Sequence, residues 1–474
     1  MNYVNKIFGY KEKGSSLITE LLAGAITFVS MIYILPTNAS ILGAMGMDGQ
    51  GVFVMTAIVS AIVTLMMGFV ANFPIVLSAG MGLNAYITFS VSLGMGFSWQ
   101  ESMILLLVSG IIFFIFSLTP VRTKIINKIP TDIKYIISAG LGAFICFVGL
   151  RGSGIISFNI GNPSNVLPEL GSLSNPAILI PFLGIILIIF LMLCKNKWLS
   201  KLAIPIGVIV CAIASVSINY GLNGSDALKL ANSGLSMFSG SWGAANLEKV
   251  VFFGFLDPNN TSNIGEMLAK IFSNPASYIA IFSLIFVNLF DTTATLLAVG
   301  KDSGLLDENG QLKNAKRAIL CDATGALICA PLGTSTVTSF AESNVGVSVG
   351  GRTGLTAVFA GILFLISAFA FPVFSIFSSW SVTAPALVCV GGLIFANNLK
   401  SIKWESFTIG ITAFFTIIFM VLTYSISTGL GVGIILYVLM NLASGKKEDN
   451  NAVLYTIAGI FVLSFILTEV VKLI

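Results

Sequence analysis

Apolar runs long enough to cross a bilayer recur from one end of this chain to the other. No other feature constrains its fold as much. The run "AILIPFLGIILIIFLMLC", 177–194, contains no charged residue. A helix rises 1.5 Å per residue, so about 20 such residues span the hydrocarbon core. Inside lipid every backbone N–H and C=O must be paired within the protein, which leaves helices or closed barrels. A barrel would show short segments alternating at period two, whereas these runs are continuous. Of 474 residues, 56% are hydrophobic and only 9% charged. A soluble domain carries about 25% charged residues. The expected class is an all-α polytopic membrane protein.

Spans are expected at roughly 18–42, 51–71, 74–94, 99–118, 132–150, 175–194, 202–221, 276–299, 315–331, 333–348, 354–373, 382–399, 406–425 and 427–445. A further apolar stretch, 452–473, is either an extra span or a helix along the interface. Lys and Arg should collect in cytoplasmic loops. With the N-terminus inside, one alternation of loops satisfies this. Arg122, Lys124, Lys128 and Lys134 share one inner loop; Lys195, Lys197 and Lys201 the next; Lys301, Lys313, Lys316 and Arg317 a third. Arg352, then Lys400 and Lys403, then Lys446 and Lys447 follow. The leader carries Lys6, Lys11 and Lys13 ahead of an apolar run too long for a signal peptide, so it reads as retained and cytoplasmic.

The expected organisation is a leader (1–17), a first repeat (18–221), an extracellular connecting loop (222–275), a second repeat (276–445) and a C-terminal tail (446–474). An odd number of spans per half gives the second half inverted topology, the pattern of secondary transporters. The third span of each half should then correspond. They contain "SAGMGLNAYITFS", 78–90, and "GTSTVTSFAES", 333–343. Both open on small residues and then offer a polar side chain, Asn84 or Glu342. Gly80, Gly82, Gly333 and Ser335 fit close helix packing. They also fit a broken helix, because Gly weakens a helix and Ser and Thr compete for its backbone. Two breaks at corresponding positions mark a substrate site near the midplane.

Carboxylates inside a membrane are costly and are functional candidates by default. Asp291, Asp322 and Glu342 qualify, while Glu20 and Glu101 fall near span ends, close to water. Asp322 lies near Lys316 and Arg317, so a structural role fits it equally. Asn288 and Asp291, spaced i and i+3, share a helix face. Asn84, Asn288, Asp291, Glu342 and Thr336 would offer amide, carboxylate and hydroxyl groups in an apolar cavity. Phe290, Phe340 and Tyr86 could stack on a ring, although each also serves packing. This set suits a small, flat, neutral solute with several N–H and acceptor groups. Histidine is absent, so proton chemistry would run on carboxylates. No P-loop or metal-ligand cluster points to an enzyme, no cofactor is implied, and the net charge of +4 gives no footprint for nucleic acid. The six cysteines form no CxxC pair and read as small buried hydrophobes.

"MIYILPTNASIL", "SAGMGLNAYITFSV", "LFDTTATLLAVG", "PLGTSTVTSFAESNVGVSVGGRTGLTAV", "TAPALVCVGGL" and "LTYSISTGLGVGIILYVL" resemble, in order, the AzgA-like adenine/guanine/hypoxanthine permeases, a branch of the nucleobase–cation symporters. The resemblance implies about fourteen spans in two inverted repeats of seven. It also implies core and gate domains, broken third and tenth spans, and proton-coupled purine import through the cytoplasmic membrane. Dimers occur in related folds. By the same resemblance Asn84, Asp291 and Glu342 match substrate positions. The eighth-span motif usually reads Asp-x-x-Asp-Thr, but here it is Asn288-Leu289-Phe290-Asp291-Thr292, with Ala294 where Gly is common. Asn288 cannot titrate, which leaves Asp291 and Glu342 to carry the proton. A transporter of another flat heterocycle, such as uracil or xanthine, or of a small anion, is the alternative on the same architecture.

Overall fold

The structure, a computed structural model, describes residues 2–119, 128–158, 168–196, 199–200, 202–223, 235–236, 264–305, 314–340, 342–377, 379–446 and 450–473. Most of the expected connecting loop, 222–275, lies outside the described residues. Among those described, seven helices are long and apolar enough to cross a membrane, or up to nine if each of two bent pairs is one span. The seven are Leu17–Gly43, Gly49–Ala71, Trp99–Leu118, Thr131–Gly152, Ala203–Gly221, Trp380–Leu399 and Ile426–Ala443. Several begin on a side-chain cap. Ser16 accepts from Thr19 N, Asp48 from Gly51 N, and Ser425 from Thr428 N. Ser98 and Glu101 form a reciprocal capping box. Shorter apolar helices, Pro176–Met192 and Phe407–Leu422, occupy two further expected spans.

Proline shapes the breaks. The expected span 354–373 is not one straight helix: Gly354–Ser367 meets Phe371–Phe377 at 94°. Pro372, at this corner, has no N–H to continue the ladder. Gly265–Ser273 meets Pro275–Leu289 at 83°, again with proline at the join. The first span pauses more gently. Helix Leu17–Met31 gives way to Ile34–Gly43 through Ile32 and Tyr33, and Pro36 cannot donate to the Ile32 carbonyl.

Helices Thr131–Gly152 and Trp380–Leu399 pack along one another because glycine lets their backbones touch. A Cβ on Gly142 would lie 2.7 Å from Gly391 O, and one on Gly391 would lie 2.6 Å from Gly142 O. The outer faces carry bare apolar side chains such as Leu183, Phe190, Ile213, Phe414 and Leu422, as a lipid-facing surface requires. Helix Ala452–Leu473 packs against Ile426–Ala443 and Pro275–Asp302, with the Phe461 and Phe282 rings 5.4 Å apart.

Glu20 and Glu101, expected close to water, are both buried. Glu101 pairs with Lys270 at 2.8 Å. Glu20 takes Arg352 N at 3.0 Å, Thr353 N at 3.3 Å and Thr356 Oγ1 at 2.6 Å. It therefore caps helix Gly354–Ser367 from a neighbouring helix, where free N–H groups favour a carboxylate.

Two short sheets complete the fold among the described residues. Strands β2 (Ile156–Phe158) and β3 (Pro168–Leu170) pair antiparallel. The other sheet, between β1 (Leu77–Ala79) and β4 (Val337–Ser339), is buried inside the helices.

Candidate functional site

Both segments expected to break their helices do so, and they meet. Gly333, at φ +71°, turns the chain out of helix Ala315–Ile328 toward β4. The left-handed conformation is open to glycine at little cost. Strands β1 and β4 then pair antiparallel, with Leu77 opposite Ser339, Ser78 opposite Thr338 and Ala79 opposite Val337. The ladder extends through Gly80 N to Thr336 O at 2.9 Å and Phe340 N to Val76 O at 3.1 Å. Side chains complete the accounting: Val76 N donates to Ser343 Oγ at 3.0 Å, and Leu77 N to Thr64 Oγ1 at 3.1 Å. Non-helical backbone persists at membrane depth only when it is paired in this way.

Each strand leads into a short helix. After β1 come Met81–Ala85 and a π-helical stretch, Tyr86–Gly94. After β4 comes Ser343–Val349. Asn84 is fully buried in the first turn of its helix. Glu342 is half-buried and occupies the residue just before its own helix. The two are not at equivalent places. Counted from the strand ends Ala79 and Ser339, the counterpart of Asn84 is Asn344. Thr336 and Phe340 are buried in the extension of β4, and Tyr86 is buried after Asn84.

Glu342 Oε1 accepts the Tyr33 hydroxyl at 2.9 Å. Tyr33 lies in the pause of the first span and is 1% exposed. Asn84 touches the Ser335 hydroxyl. Ser335 also donates to Asn38 Oδ1 at 3.1 Å, and Asn38 Nδ2 donates to Thr56 at 2.8 Å and Thr334 at 3.0 Å. The sequence reading singled out neither Tyr33 nor Asn38. The available signal was Pro36, whose missing N–H leaves the Ile32 carbonyl without its helical donor and so marks the pause at Ile32 and Tyr33.

Asn288 lies on helix Pro275–Asp302, which packs against β4 and helix Ser343–Val349. It is 2% exposed. Thr292 Oγ1 sits 3.4 Å from Asn288 Oδ1 and donates to Asp322 Oδ1 at 3.0 Å. Phe290 and Asp291 belong to the same helix, but their side chains lie outside those described. The two paired segments thus carry Asn84, Thr336 and Glu342, with the Asn288 helix packed against β4, and they bring hydrogen-bonding groups of both senses to the crossing.

The Permease family model (Xan_ur_permease) matches residues 18–432. The chain belongs to this family. It is 38% identical over 468 residues to the guanine/hypoxanthine permease PbuG of Bacillus subtilis, covering 97% of this chain and 98% of that one. To the adenine permease AdeQ of Escherichia coli it is 34% identical over 467 residues, covering 98% and 97%. This permease is a multi-pass membrane transporter and not an enzyme, and the purine-permease branch read from its motifs is that of these relatives. Among solved structures its fold resembles the transmembrane domain of the cyanobacterial bicarbonate transporter BicA, at a TM-score of 0.56 and 13% identity, covering 88% of this chain and 97% of that one. It also resembles murine Slc26a9 in the inward-facing state, at a TM-score of 0.59 and 10% identity, covering 90% and 68%.

Proposed function

We propose that this permease imports purine nucleobases by proton symport and alternating access, from a cytoplasmic membrane with its N-terminus inside. The observation that carries the reading is Glu342, a carboxylate at the strand crossing held by one phenol, Tyr33, at 2.9 Å. A carboxylate accepts two N–H donors from a flat base, and once protonated it donates to a ring nitrogen. The names of the relatives, guanine/hypoxanthine and adenine permeases, supply the substrate class. Adenine, guanine and hypoxanthine share a flat ring with N–H and acceptor edges; in this reading Asn84, Asn288, Thr336 and Glu342 meet those edges, with Asp291 and Phe290 as the further candidates from the Asn288 helix.

In this reading about fourteen spans form two inverted repeats, 18–221 and 276–445. The antiparallel crossing of β1 and β4 is the arrangement that inverted repeats would give two equivalent strands. The proton moves on Glu342 or Asp291, because Asn288 has no acidic proton to give. Substrate and proton bound together favour the closed site, and the core then moves against the gate.

The test is uptake of radiolabelled adenine, hypoxanthine and guanine into cells lacking purine transporters, with and without a protonophore. Saturable uptake that collapses with protonophore is expected. Uptake indifferent to the protonophore would remove the proton from the mechanism. Asn288 in place of the usual Asp favours one second reading, a different flat heterocycle, which absence of uptake of all three bases would bring forward.

A further inference from the structure

Asn38, Thr56, Thr334, Ser335 and Asn84 are each at most 1% exposed, and the protons between them can be counted. Four contacts join the first three to one another and to Val52. Thr56 Oγ1 lies 2.6 Å from Val52 O and 2.8 Å from Thr334 Oγ1. The Asn38 amide lies 2.8 Å from Thr56 Oγ1 and 3.0 Å from Thr334 Oγ1. Each threonine hydroxyl holds one proton. Were the Asn38 carbonyl to face the threonines, two protons would serve four contacts, and two oxygen pairs would meet with nothing between them. With Nδ2 facing them, the amide adds two protons and every contact has its own.

Asn38 Oδ1 therefore faces Ser335, whose hydroxyl donates to it at 3.1 Å. That uses the only proton of Ser335. The same oxygen touches the Asn84 amide, so the proton of that contact must come from Asn84. The two ends of an amide have the same shape, and hydrogen bonding alone distinguishes them. Asn84 thus turns Nδ2 to Ser335. Nothing among the described residues accepts a hydrogen bond at the opposite end of its amide, as an NH2 there would require, and that end is now the carbonyl.

We infer that Asn84 presents a buried carbonyl oxygen to the transported solute, which meets it with an N–H, and that Ser335 fixes this polarity. The inference rests on the purine reading of the site and refines it. Every free purine base carries an N–H on its imidazole ring, the 6-oxopurines add one at the pyrimidine ring, and adenine adds an amine. A base alkylated at the matching nitrogen has no proton for Asn84. Ser335 is a positioning residue: it acts on the solute through the amide.

The experiment measures the uptake KM of whichever purine base the wild type transports, for Asn84→Asp, Asn84→Leu, Ser335→Ala and Ser335→Thr. Folding is checked by size exclusion of fluorescent fusions. Aspartate keeps an acceptor toward the solute, so its KM stays within about tenfold of wild type. Leucine has none, and its KM rises by about 10- to 100-fold, the effect of leaving a buried N–H unpaired. Ser335→Ala frees the amide to rotate and raises KM several-fold, and Ser335→Thr, which keeps the hydroxyl, restores it. A folded Asn84→Asp as impaired as Asn84→Leu overturns the inference, as does a Ser335→Ala that matches wild type. If Asn84→Asp does not fold, the Ser335 pair decides alone. Wild type that takes up none of the three bases sinks the purine reading and the inference with it; transport with the wrong variant order sinks the inference only.

Discussion

Asn84 and Glu342 flank the same strand crossing, yet a relay of buried side chains holds one, and among the described residues the other has one side-chain partner, the Tyr33 phenol. Behind Asn84 stand Ser335, Asn38, Thr334 and Thr56, joined at 2.8–3.1 Å. Glu342 accepts from Tyr33 and is only half-buried. A chain of satisfied hydrogen bonds resists rotation, since turning one member orphans the next. A carboxylate with one side-chain partner can gain or lose a proton with little rearrangement around it. The contrast fits the proposed function, in which Asn84 and Glu342 both meet the solute and Glu342 is also a candidate to carry the coupling proton.

Glu342→Gln breaks this contrast most severely. It keeps the shape and a hydrogen-bonding end but cannot titrate. Accumulation against a gradient is expected to fall to a ratio of about 1, the equilibrium value for a neutral solute without coupling, while downhill exchange persists. Steady-state uptake measures this, and concentrative uptake by the variant would remove Glu342 from coupling. Thr334→Val attacks the other side by taking an acceptor from Asn38. It should lower folding stability by about 1–3 kcal/mol, read as a lower melting temperature in detergent, and raise KM as well. Tyr33→Phe is expected to slow concentrative uptake by about 3- to 10-fold, the net worth of one intramolecular hydrogen bond. It should leave the preference among bases unchanged; an altered preference would mean that Tyr33 also reads the solute. The smallest effect belongs to Glu20→Gln, away from the crossing. It weakens the cap on helix Gly354–Ser367 by about 1 kcal/mol and should leave KM as it is.

The membrane class and the seven to nine helices long enough to cross were legible in the sequence because bilayer thickness writes itself into apolar run length. The two breaks were legible for a related reason: small and β-branched residues in "GTSTVTSFAES" and glycines in "SAGMGLNAYITFS" disfavour a helix locally. The partners of those breaks were not. Tyr33 and Glu342 are 309 positions apart, and Asn38 and Thr334 are 296 apart. No local periodicity reports such contacts. Matching Asn84 with Glu342 by motif also differs from the count from the strand ends, where Asn84 falls with Asn344. The bend in 354–373 was legible in principle from Pro372, but its apolar length masked it.

The crossing also sets an order of events during synthesis. Ser78 and its partner Thr338 are 260 positions apart. At about 5–20 residues per second, β1 emerges some 13–52 s before β4 exists. For that interval one edge of β1 has no strand to pair with. Two side chains from the preceding helix are already at hand: Thr64 exchanges hydrogen bonds with Leu77 at 3.0 and 3.1 Å, and Ser60 meets Ser78 at 2.8 Å. These contacts span fewer than twenty residues, so they need no part of the second half in order to form. The first half thus carries within itself the partners for the edge of β1 that faces away from β4.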